Sequence, residues 1–203
     1  MNNQYKNCLG FTLIELLVVV LIIGILSTLA LPGYRKAVIK TRYNTLKPVV
    51  TAVAKAQEVY YMSDNSYAES FSELDVELPP NPTGDCSTSK GADNCYKWDW
   101  GSCYMTKNTI TDKVEKISCE TRKIQDGKVD LIKYSSFLAY RASGNGESAR
   151  RCTVSGIGLT KVEAMKSIPG KICKEETGDT DPDTWDDSDS ERSGFQYTYK
   201  KDR

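Results

Sequence analysis

GFTLIELLVVVLIIGILSTLALPGY, residues 10–34, is the stretch whose reading decides the fold. Over 11–31 the residues are nearly all Leu, Ile, Val, Phe and small neutral types. A helix rising ~1.5 Å per residue crosses a ~30 Å hydrocarbon layer in about 20 residues, so this run can span a membrane. One charge interrupts it: Glu15, in the second turn. A bare carboxylate in lipid is costly and needs a cation, yet the run holds no Lys, Arg or His. The obvious partner is an α-amino group made by cutting between Gly10 and Phe11, in this chain or in a neighbour. The small Gly10 is what a protease reading a leader boundary can admit.

Two plainer readings compete. A secretory signal would use Lys6 as its basic end and be cut beyond Thr28 and Ala30, but the run is long for such a segment and contains an acid. A simple single-span anchor leaves Glu15 without a purpose.

Gly10 followed by Phe11, Thr12, Leu13, Ile14 and Glu15, then a long apolar helix with Pro32, resembles the class III leader and N-terminal helix of type IV pilins and their pseudopilin relatives. The likeness is dense over 5–62 and weak beyond. It implies a prepilin peptidase that cuts after Gly10, N-methylation of Phe11, and a role for Glu15 in neutralising a neighbouring subunit's N-terminus during assembly. The partners implied are other pilin subunits, the peptidase and an inner-membrane assembly machinery. The place implied is the inner membrane before assembly and a periplasmic or extracellular filament afterwards.

Of the 203 residues, 27 are basic and 27 acidic, so the whole chain gives no reason to expect nucleic acid as a partner. It contains no histidine, which removes His-based triads and most catalytic zinc sites. No enzymatic motif replaces them, and a non-enzymatic, structural role is expected. Seven cysteines stand at 8, 86, 95, 103, 119, 152 and 173; losing the leader removes Cys8 and leaves an even set suited to disulfides outside the reducing cytosol. No C-x-x-C pair supports zinc.

The sequence divides into a leader (1–10), a membrane or filament-core helix (11–33), an amphipathic half of the same helix (34–62) and a disulfide-stapled β domain (63–203). In the second segment Val38, Ile39, Tyr43, Leu46, Val50, Val53, Val59 and Tyr60 recur near helical spacing, with Lys and Gln between them. Pro32 with Gly33, and Pro48, predict kinks or loosened turns. Arg35, Lys36, Lys40, Arg42 and Lys47 follow the span, where a basic cluster ordinarily marks the inner side. That conflicts with an outside domain, which the leader processing and the cysteines favour.

Beyond a helix stop at 63–67 and a loop ending in Pro79, Pro80 and Pro82, strands are expected over 96–105, 114–121 and 129–141, with a last one carrying Phe195, Tyr197 and Tyr199. The expected fold is α+β and pilin-like: one long helix packed against a small antiparallel sheet. Candidate disulfides are Cys103 with Cys119 across adjacent strands, Cys86 with Cys95, and Cys152 with Cys173. Thr160 and Glu163 form a capping box for a short helix. In the tail, Asp179, Asp181, Asp183, Asp187 and Glu191 offer oxygens of the kind Ca²⁺ takes. They depart from an EF-hand loop, since Thr184 stands where Gly is needed and Ser190 where the bidentate Glu falls. A solvated acidic loop is the favoured alternative. Otherwise no cofactor is expected. A Ca²⁺-binding C-terminal loop would be the mark of a type II secretion pseudopilin, the alternative within the family.

Overall fold

The computed structural model describes residues 11–78, 95–107, 114–122, 124, 126–138, 149–186 and 192–199. One helix, α1 (Leu13–Asp64), dominates the first third of the chain. It closes at Asn65, which adopts the left-handed conformation (φ 54°) with its amide donating to Tyr61 O at 2.9 Å, an Asn version of the usual glycine stop. Neither Pro32 nor Pro48 interrupts α1: each lacks one amide donor, but the helix continues through both.

The chain forms two compact units, Met1–Val38 and Ile39–Arg203. In the first, the described side chains of α1 are exposed as far as Arg35. In the second, Tyr43, Leu46, Val50, Val53 and Gln57 are fully buried at alternating spacings of three and four, a single stripe along one side of the helix. Burying each of the aliphatic members contributes about 1.5–3 kcal/mol. Val59, assigned from the sequence to the same stripe, is instead 66% exposed. The position one heptad after Val50 belongs to Gln57, whose amide donates to Ala68 O and accepts from Ala68 N, both at 2.9 Å. A buried amide is tolerable when both of its ends are satisfied, and this one fastens the connection after α1 to the helix.

After a 3-10 turn (Phe71–Glu73) come β1 (Cys95–Trp98), β2 (Gly101–Lys107), β3 (Val114–Thr121), β4 (Leu131–Phe137) and β5 (Arg150–Ile157). Two helices follow, α2 (Lys161–Lys166) and α3 (Ile168–Thr177), then β6 (Asp183–Asp186) and β7 (Arg192–Thr198). The described strands join one antiparallel seven-stranded sheet in the order β1-β2-β3-β4-β5-β7-β6. The α+β expectation therefore holds, with a larger sheet than the sequence suggested.

The strand expected over 96–105 is two strands. Asp99 and Trp100 turn the chain, and Gly101 must follow because a Cβ there would lie 2.7 Å from Glu120 O and 2.8 Å from the Trp98 ring. β5, α3 and β6 were missed. Within the acidic tail, Asp183–Asp186 form an edge strand paired with β7.

Cys103, Cys119, Tyr134, Cys152 and Tyr197 stand opposite one another in register across β2, β3, β4, β5 and β7, on the face that packs against α1. Tyr43 meets Tyr134 edge-on at 6.1 Å and shares a 2.9 Å hydrogen bond with the Tyr199 hydroxyl. Cys103–Cys119 and Cys152–Cys173 are disulfides, as the sequence suggested, the second tying β5 to α3. Cys95 is also disulfide-bonded, while Cys86, its expected partner, lies outside the described residues. The Cys152–Cys173 link closes a separation of 21 residues. The double change Cys152→Ser with Cys173→Ser is expected to cost about 3 kcal/mol on chain-entropy arguments, read as a shift in denaturant midpoint of the full chain in detergent.

Candidate functional site

Thr12 and Glu15 organise the head of α1. The Thr12 amide donates to Glu15 Oε2 at 2.8 Å, the Thr12 hydroxyl donates to the same oxygen at 2.7 Å, and the Glu15 amide donates back to Thr12 Oγ1 at 3.3 Å. This is a reciprocal capping box, which satisfies amides that the first turn of any helix leaves without partners. The same geometry recurs at α2, where the Thr160 amide donates to Glu163 Oε2 at 2.9 Å and the Glu163 amide to Thr160 Oγ1 at 3.4 Å. The sequence reading identified the second box and missed the first, although T-x-x-E before an apolar run is the same signal in both places.

Glu15 therefore has a task within its own chain besides any between chains. Only Oε2 takes part in the box, and among the described residues no cation pairs with the carboxylate. Around it the surface is apolar: Phe11 is 88% exposed, and the large hydrophobic side chains between it and Leu31 are exposed as well. By length and composition this part of α1 can cross a membrane. An exposed apolar surface of this extent marks contact with lipid or protein. Gly10 and the rest of the leader lie outside the described residues.

The basic residues after the span are partly accounted for within the second unit. Lys40 pairs with Glu175 at 3.3 Å, and Lys47 pairs with Glu176, both acids being on α3. These lysines thus serve the packing of α3 and need not report the side of a membrane.

Three of the five acidic tail residues proposed for Ca²⁺ are described. Asp179 Oδ1 accepts from the Asp181 amide at 3.1 Å and Oδ2 from the Thr198 amide at 3.0 Å. Asp181 pairs with Lys161 at 2.6 Å, and Asp183 opens β6. Asp187 and Glu191 lie outside the described residues. Among the described residues no three His, Cys, Asp or Glu side chains gather to hold a metal. The mutual repulsion that suggested Ca²⁺ is relieved at Asp179 and Asp181 by amides and a lysine.

Period-two alternation places a second, polar row of side chains on the sheet face away from Tyr134 and α1. Ser102, Glu120, Lys133, Thr153 and Gln196 are opposed in register across β2, β3, β4, β5 and β7. Glu120, 4% exposed, accepts from Arg122 Nε at 2.8 Å, pairs with Lys133 at 3.5 Å and takes the Tyr104 hydroxyl at 3.3 Å. Burial pushes the Glu120 carboxyl upward, but the Lys133 and Arg122 charges outweigh it and leave the group below its ordinary value. Burial pushes the Tyr104 phenol up to about 12, so it remains a donor.

Comparison with known proteins agrees with the N-terminal geometry. Residues 5–31 match the family model of the prokaryotic N-terminal methylation motif. The chain is 28% identical to a fimbrial protein of Pseudomonas aeruginosa over 61% of this chain and 65% of the relative. It is 35% identical to the type IV major pilin protein PilA of Myxococcus xanthus over 32% of this chain and 30% of the relative. To the type II secretion system core protein G of Pseudomonas aeruginosa it is 34% identical, over 40% of this chain and 56% of the relative. The chain thus spans less than two thirds of the length of each of these relatives. No solved structure matches it significantly. A long helix on an antiparallel sheet, headed by a methylation motif, is a pilin-like architecture, and over the matched stretches the chain is similar to type IV pilins and to a type II secretion core protein.

Proposed function

We propose that this protein is a structural, non-catalytic subunit of a type IV pilus-like filament. The observation that carries the reading is the division of α1: its apolar half is wholly exposed and headed by Glu15, while its other half is fixed to the sheet. An exposed apolar helix can be stored in a bilayer and then transferred into a bundle of identical helices without meeting water. Processing between Gly10 and Phe11 by a prepilin peptidase creates the amine that a neighbouring Glu15 can take, and methylation of Phe11 follows from the motif. The remaining partners are other subunits and the inner-membrane machinery that lifts them from the bilayer.

The test is mass spectrometry of filaments sheared from cells. The expected result is an abundant chain beginning at Phe11 with one added methyl group. A mature chain beginning after Ala30, or none in the filaments, would overturn the reading. A pseudopilin function is the second reading, favoured by the likeness to the secretion core protein G. It predicts a secretion defect on deletion with no change in surface filaments. A Ca²⁺ ion in the acidic tail would also favour it, and would have to draw on Asp187 and Glu191.

A further inference from the structure

We infer that the sheet face away from α1 carries a binding site for a single oxyanion group, phosphate-like or carboxylate, built around Arg151. A cleft on this face is lined by Lys116, Lys133, Ser135, Phe137, Arg151, Thr153 and Gln196. Register explains why they converge: Lys116 stands opposite Phe137, Ser135 opposite Arg151, and Lys133 opposite Thr153, which is itself opposite Gln196. Three adjacent rows on one face therefore supply three cations, hydroxyls and an amide, and the lining contains no carboxylate.

Arg151 is the centre of the site. Its Nη1 donates to Gln196 Oε1 at 2.6 Å, and its guanidinium packs 4.9 Å from the Phe137 ring centroid. Lys116 Nζ lies 5.5 Å from the same ring. These contacts hold the guanidinium in place without neutralising it, and among the described residues Arg151 has no ion pair. The carboxylate in the neighbouring row, Glu120, is engaged by Arg122 at 2.8 Å and Lys133 at 3.5 Å. Arg151 Nε is buried and has no hydrogen-bond partner among the described residues. A buried donor without an acceptor is costly, and on a fixed guanidinium its natural complement is an oxygen that also meets a second cation. Sulfate, phosphate or a carboxylate supplies that oxygen, whereas a metal cation or an apolar group does not. The filament reading makes no use of this cleft.

The experiment titrates sodium phosphate into the full chain in non-ionic detergent, with ionic strength held constant by sodium chloride. Binding is followed by ³¹P line broadening and by melting temperature. The expected result is saturable broadening and a raised melting temperature that chloride does not reproduce. Arg151→Gln is expected to abolish both effects, and Arg151→Lys, which keeps the charge and loses the Nε donor, to weaken binding about tenfold or more. Sodium acetate, followed by melting temperature alone, tells a phosphate-type group from a carboxylate, and either anion's effect must vanish in Arg151→Gln. No response to either anion in the wild type, or an unchanged response in folded Arg151→Lys, overturns the proposal.

Discussion

Replacing Glu15 with Gln is expected to leave leader cleavage and membrane insertion intact while reducing filament incorporation at least as far as Glu15→Ala does. Gln can occupy the third position of a capping box as well as Glu, so this variant keeps the head of α1 ordered and removes only the charge. Thr12→Val is the complementary change, since it breaks the box and leaves the carboxylate. If Glu15 acts by neutralising an incoming N-terminal amine, Gln and Ala fail together and Thr12→Val assembles with a modest loss. If Glu15 acts only as a helix cap, Gln assembles normally and Thr12→Val fails. The measurement is the ratio of cleaved subunit in sheared filaments to that in membranes. The predicted separation is large because an unpaired charge in an apolar bundle is penalised at every addition of a subunit. Filament yield equal to wild type from Glu15→Gln would remove the charge mechanism.

The features legible in the sequence were those with a strong local signal. The apolar run, the Tyr43, Leu46, Val50 and Val53 stripe, the Thr160–Glu163 box and two of the disulfides could be read from spacing and residue type. What escaped depends on partners distant in the chain. Gln57 looked polar and outward, and only the Ala68 backbone satisfies its amide in the core. RRCTVSGI, now β5, alternates poorly because its polar members Thr153 and Ser155 are buried. Asp183 belongs to a strand because β7 offers its edge, against its own propensity. Lys40 and Lys47 read as a membrane-side signal until α3 brought Glu175 and Glu176 beside them. At the site itself, Glu15 is conspicuous as the sole charge in the run, and its bond to Thr12 is the T-x-x-E capping signal placed at the head of an apolar helix.

Glu120→Ala is expected to destabilise the fold by about 3–5 kcal/mol, the usual cost of removing one partner of a buried ion pair. Lys133, with its side chain 15% exposed, would then be an almost buried ammonium without its carboxylate. Arg122, 46% exposed, can turn to water and would contribute little to the loss. The double change Glu120→Leu with Lys133→Met should recover most of the stability, because an apolar pair of similar volume avoids both desolvation costs. Acid should act through the same residue. The folded carboxyl titrates below its ordinary value, so its contribution is present above the unfolded pKa near 4.5 and is lost as pH falls through the lower folded value. Lys133 behaves in the opposite sense: burial lowers it, but Tyr104 and Glu120 raise it further, so its contribution is present below about 10.5 and is lost as pH rises through the folded value. Denaturant unfolding of the full chain in detergent between pH 3 and pH 7 is the measurement. Wild type should lose stability towards the acid end more steeply than Glu120→Gln, which has no proton to gain there. A Glu120→Ala variant within 1 kcal/mol of wild type at neutral pH, or parallel acid profiles for wild type and Glu120→Gln, would mean that this carboxylate is solvated rather than held between two cations.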